Sequence, residues 1–248
     1  MSQRTQKVLI WWAIVFMVIY GLTLVFLLHM VPPPRATLNA QGVSDFYARH
    51  HDSIRIGAVM ASYTSAFMVP ISIAVAVQIA RLEKGRPIWA MMCGAGGCLM
   101  SIFLVLPPLF WGVAAYTPTR DPQVTAVMHE LGMLTLVTTD QYYVFMWVAI
   151  VAVCLMKTDV AHSPFPRWFG YLTAWTALMF EAGAIAFLPR TGPFAWNGLL
   201  VFWSPFLLFS VWLATMSTLL LKAINKQAQD ASELVEPPSR RAPVPVPV

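Results

Sequence analysis

Two carboxylic acids sit within apolar stretches of this chain, and they are the residues best placed to do chemistry: Asp140 and Glu181. An acid at membrane depth costs about 2.5–3.5 kcal/mol on the mildest insertion scale, so such groups turn inward and mark binding or proton-handling sites. The run Thr138-Thr139-Asp140-Gln141-Tyr142-Tyr143 is polar around most of a helix circumference at 100° per residue. A helix of that kind cannot face lipid, which offers its polar groups no partners. The chemistry open to the pair is cation binding, sharing of a proton, or orientation of the polar end of an otherwise apolar ligand. The expected ligand-binding set is Asp140, Glu181, Thr138, Thr139, Tyr142, Tyr63 and Thr64. The competing reading is structural: each acid is tied to a donor such as Arg120 or Arg190 and locks the bundle.

These residues need a scaffold, and composition says which kind. The 248 residues are 58% hydrophobic and only 11% charged, whereas soluble domains run near a quarter charged. An integral membrane protein is therefore expected, with the lipid bilayer as its first partner. The apolar runs are too long for barrel strands, which alternate over about ten residues. The fold class is thus all-α, a polytopic helical bundle. Six spans are expected, over residues 8–31, 56–80, 88–115, 133–156, 168–188 and 199–221. Together they make one transmembrane domain over residues 1–222. Eleven of the sixteen Lys and Arg residues fall in the segments on the side of the N-terminus, so both termini are expected in the cytoplasm. The net charge of +5 is explained by this topology, and no nucleic-acid partner is expected.

The first outer loop holds Pro32-Pro33-Pro34 and then, over 38–55, an amphipathic helix with Val43, Phe46, Tyr47 and Ile54 on one side. Pro70 is expected to kink the second span, and Pro107-Pro108 to break the third. Gly94, Gly96 and Gly97 should let a neighbouring backbone approach the third span closely. Residues 223–248, with their Pro-Val repeats, read as a disordered, Pro-rich cytoplasmic tail. At 1.5 Å per residue, Asp140 lies about 7 Å and Glu181 about 4–5 Å outward of their span centres, in one layer.

Four histidines, His29, His50, His51 and His129, belong to the outer side. They are weak candidates for a Zn or Cu site: no motif spacing relates them, and adjacent His50 and His51 point about 100° apart on a helix. The cysteines Cys93, Cys98 and Cys154 lie in apolar runs and read as small packing residues. Zinc-hydrolase, nucleophile-elbow and phosphate-loop motifs are absent, so no catalytic residue and no cofactor is assigned. Phe46-Tyr47, Ile54-Arg55-Ile56-Gly57 and the segments 165–171 and 191–198 resemble a group of uncharacterised six-span bacterial inner-membrane proteins. That resemblance implies the bacterial inner membrane and no activity. Three functions remain in view: a protein that binds or passes a small ligand, ion or proton through an outward-facing polar site; an accessory subunit of a larger membrane complex; or an enzyme using the carboxylate pair on a lipid-soluble substrate.

Overall fold

Long apolar runs, with backbone groups that can be satisfied only within the segment, fold here as helices that pass back and forth across one bundle. A computed structural model describes residues 1–157 and 160–235, with side chains described through residue 231. The helices are α1 (Gln3–Phe26), α2 (Ala40–Arg49), α3 (His51–Thr64), α4 (Met68–Ala80), α5 (Ile88–Tyr116), α6 (Pro122–Thr138), α7 (Val144–Leu155), α8 (Arg167–Glu181) and α9 (Ser204–Val235). No strand occurs among the described residues. Four helical stretches are long and apolar enough to cross a membrane: α1, α3 to α4, α5, and residues 199–231. Large apolar side chains such as Val15, Val18, Leu22 and Phe26 of α1 line the outside, as a membrane protein requires.

Three of the expected spans are not continuous; the second bends at a 3-10 turn, Ser65–Phe67, and the fourth and fifth are interrupted more fully. Residues 133–156 were expected as one helix, but α6 begins earlier, at Pro122, and stops at Thr138; a short 3-10 turn, Asp140–Tyr142, separates it from α7. The polar run supplies the reason. Thr138 and Thr139 turn their hydroxyls back onto the carbonyls of Leu134 (2.7 Å) and Thr135 (2.8 Å), and hydroxyls bonded this way bend and weaken a helix. Residues 168–188 likewise divide into α8 and a 3-10 segment, Ala182–Phe187.

Prolines behave in two ways. Pro70 frees the carbonyl of Ala66, and the chain bends there: Ala66 is non-helical (φ −79°, ψ 15°) inside a 3-10 turn, Ser65–Phe67. Pro107-Pro108 does not break α5, which runs through both. Pro108 removes the amide that would have reached the carbonyl of Leu104, and the hydroxyl of Tyr20, on α1, donates to that oxygen at 2.7 Å instead. A partner from another helix repairs what the proline removes.

α5 is the hub, packed against α3, α4, α6 and α7. Its glycines make this possible. A Cβ on Gly97 would overlap Ser72 of α4, and one on Gly96 would meet the Met146 amide of α7 at 2.7 Å; Gly94 opens onto nothing within 4 Å. α1 closes the ring against α9, and α8 packs between α7 and α9.

The expected amphipathic helix over 38–55 ends sooner. α2 stops at Arg49, His50 is non-helical (φ −112°, ψ 18°), and residues 51–55 begin α3. At the end of the bundle holding the N-terminus, Gln78 of α4 bonds Gln6 (2.8 Å) and Gln227 (3.1 Å), tying α1, α4 and α9. His162 meets Asp230 at 2.7 Å. These contacts give α9 partners well past Lys222. Residues 223–235, expected in the tail, are accordingly helical, and residues 236–248 lie outside the described residues. Cys93 and Cys154 are buried as packing residues, whereas Cys98 faces outward.

The Tyr20–Leu104 bond yields a test. Tyr20→Phe leaves a buried carbonyl without a donor and should cost about 1–3 kcal/mol of stability. In a Pro108→Ala background the restored amide should remove most of that cost. A double-mutant cycle on thermal unfolding in detergent measures the coupling; equal costs in both backgrounds would refute the repair.

Candidate functional site

The two helix interruptions lie against each other, and an acid sits at each. Asp140 opens the 3-10 turn after α6, and Glu181 is the last residue of α8. Gly183 makes the approach possible. A Cβ there would collide with the carbonyl of Val137, and its position lies 3.6 Å from Oδ1 of Asp140. Asp140 is 2% exposed, and no basic or amide side chain donates to its carboxylate oxygens; the polar side chain beside it is another acid, Glu181. Glu181 is within electrostatic reach of it and accepts from the Gln141 amide at 3.4 Å. The structure therefore brings together the two acids that the sequence placed in one layer.

Neither arginine proposed as a lock is near them in role. Arg120 donates to the Val113 carbonyl at 2.7 Å, and Arg190 pairs with Glu130 at 3.3 Å. A buried carboxylate with no basic or amide donor is costly, and such groups are retained where a site uses them.

Beside the acids lies a partly open cavity of about 270 Å³, lined by residues of α1, α5, α6, α8 and the start of the last helix. Thr139 and Phe180, the chain neighbours of Asp140 and Glu181, line this space together with Tyr143, whereas neither acid does. Tyr143 is 5% exposed, lies within reach of both carboxylates, and its hydroxyl makes no hydrogen bond among the described residues. The remaining lining is mainly apolar, including Leu104, Phe206 and Phe209. Tyr20 reaches the same space, but its hydroxyl is committed to Leu104.

The expected neutral lining is corrected in several places. Tyr63 is 76% exposed and Tyr142 58% exposed, so both face outward. The break before Tyr142 rotates the chain away from the helical direction on which its inward placement relied; Tyr142 packs instead beside Phe103, ring centroids 5.0 Å apart. Thr64 and Thr138 are buried, but their hydroxyls are used within their own helices, on Met60 (2.8 Å) and Leu134 (2.7 Å). Of the neutral set, Thr139 alone lines the cavity. Sequence reasoning noted Tyr143 without assigning it and missed Phe180; adjacency to an intramembrane acid was the available signal for both.

The histidines do not converge. His29 and His50 stack with ring centroids 4.1 Å apart, and His29 meets Ser53 at 3.2 Å. His51 pairs with its neighbour Asp52 at 3.0 Å, and His129 is buried against Tyr47. Among the described residues, no three His, Cys, Asp or Glu side chains gather as metal ligands.

No family model, curated protein or solved structure matches this chain.

The packing of the two interruptions can be tested at Gly183. Gly183→Ala sets a methyl against a backbone oxygen and should destabilise by about 1–3 kcal/mol. Gly94→Ala, which meets only open space, should leave thermal unfolding in detergent unchanged or slightly raised. Equal behaviour of the two variants would mean that the segments do not touch as described.

Proposed function

We propose that this chain is an integral membrane protein of six crossings that binds a small, mainly apolar ligand, with Thr139 and Tyr143 meeting the ligand's polar end and the negative charge of Asp140 and Glu181 set behind them. Both termini are assigned to the cytoplasmic side of a bacterial inner membrane, on the basic-residue asymmetry and on the family resemblance noted above. Four crossings have the length and apolarity required. The other two are the interrupted helices α6 to α7 and α8 with its 3-10 extension. Irregular backbone is tolerated at membrane depth only where protein buries it or it lines a cavity; Thr139 and Tyr143 at the first interruption line the cavity, and Gly183 and Ala186 of the second are buried.

The observation that carries this reading is the buried carboxylate of Asp140, without a basic or amide donor, beside a 270 Å³ cavity. That volume falls just below the roughly 300 Å³ at which drug-sized pockets begin, so the ligand is small. A mostly apolar lining favours binding over an aqueous path for ions. It also supports a second reading, in which the acid pair moves a proton on a lipid-soluble substrate held in the same space.

Gly21 offers a way to fill the cavity without touching the acids. It lines the space, and a side chain there would meet nothing within 4 Å. An apolar diazirine photolabel should modify Phe206 or Phe209 in the native protein, in competition with its unreactive parent. Gly21→Phe should lower that labelling about tenfold while leaving the folded fraction unchanged. Asp140→Asn should retain the apolar label but lose any preference for an amine-bearing form of it. Labelling confined to outward-facing residues, with no competition by the parent, would sink the proposal.

A further inference from the structure

A second cavity, of about 220 Å³, lies between the start of α2, the first half of α6 and the segment 188–198. Its chemistry is the reverse of the first. Arg35 and Arg190 are on its rim, Asn39 and Gln123 add amides, and His129 lies in its wall. We propose that this cavity is a binding site for a phosphate group, either of a free solute or of a lipid headgroup. The inference is independent of the ligand cavity beside Asp140.

His129 provides the observation that points to a ligand. The side chain is 1% exposed, and its Nε2 atom has no hydrogen-bond partner among the described residues. Its other ring nitrogen, Nδ1, meets the Tyr47 hydroxyl at 3.0 Å. Tyr47 is itself buried and makes no other side-chain hydrogen bond, so its phenolic proton goes to Nδ1. That assigns the imidazole proton to Nε2, a buried donor without an acceptor on a residue that lines the cavity. A buried donor of this kind costs about 1–3 kcal/mol if nothing receives it.

Charge and geometry select the acceptor. Glu130 also lines the cavity and pairs with Arg190 at 3.3 Å, while Arg35 makes no ion pair among the described residues. Two guanidinium groups against one carboxylate leave a single positive charge, which suits a monoanion such as a phosphodiester or singly charged phosphate. The donors come from three separate segments, and a tetrahedral oxyanion presents acceptors in as many directions. Guanidinium forks match phosphate oxygens in pairs.

The walls are held independently of any ligand. Trp196 donates to the Pro34 carbonyl at 3.0 Å, and the Asn39 side chain caps α2 through Gly42 at 2.8 Å. Trp196 also stands edge-on to the His129 ring, centroids 5.9 Å apart. The site is thus preformed around an unsatisfied donor.

The test uses the full chain labelled with ¹⁵N-histidine, following the His129 Nε2 resonance. In a phosphate-free maltoside detergent, inorganic phosphate should shift this signal saturably, where chloride at equal ionic strength does not. Arg35→Gln, at an exposed position, should weaken the response about tenfold or more while leaving thermal unfolding unchanged. A shift produced on transfer from the maltoside detergent into nanodiscs of phosphatidylglycerol or phosphatidylcholine, and lost in Arg35→Gln, would assign the phosphate to a lipid headgroup. The proposal is overturned if neither phosphate nor either lipid moves the signal, or if Arg35→Gln responds like the native protein.

Discussion

A helix interrupted inside an apolar bundle exposes amides and carbonyls that no solvent can satisfy, and the architecture here follows from how each interruption finds its partners. Thr138 and Thr139 close back on their own turn where α6 ends. Where Pro108 removes an amide from α5, Tyr20 crosses from α1 to replace it, and the helix stays whole. Where Pro70 removes one from α4, the backbone itself rearranges into a 3-10 turn. The same constraint has three outcomes, decided by which donor or acceptor stands nearby.

The interruptions next to the acids stand apart because they are not fully satisfied. Gly183 lets the segment after α8 press against the end of α6, so two irregular stretches share one interface. That closeness leaves Asp140 without a basic or amide donor and with another acid beside it. Irregular backbone thus concentrates unmet polar capacity at one point beside an apolar space.

Much of this was legible in the sequence, for reasons that can be named. Apolar run length depends on backbone hydrogen bonding alone, so the helical class followed from composition. Depth along a span is a count of residues, so Asp140 and Glu181 could be set in one layer before their contact was seen. Gly96 and Gly97 announced a close approach because little else explains glycine in an apolar helix. Azimuth was another matter. Facing directions computed at 100° per residue hold only while the helix is regular, and the turn at 140–142 moved Tyr142 to the outside. The continuity of α5 through Pro107-Pro108 was illegible too, since it rests on a tyrosine 84 residues away. The glutamine contacts that extend α9 past residue 222 carry no local signature either.

The two cavities divide the chemistry of the molecule by depth. The one beside Asp140 is walled by aromatic and aliphatic groups, with its charge set behind Tyr143 and negative in sign. The one beneath the 188–198 segment is walled by polar groups, with its charge on the rim and positive in excess. α6 runs between them: His129 lines the second cavity near its middle, and Thr139 the first just past its end. Ten residues of helix span about 15 Å, so both spaces lie along a single rigid element. A shift of α6 along its axis would alter both walls together, because its outer part packs on α2 and its inner end on the segment after α8.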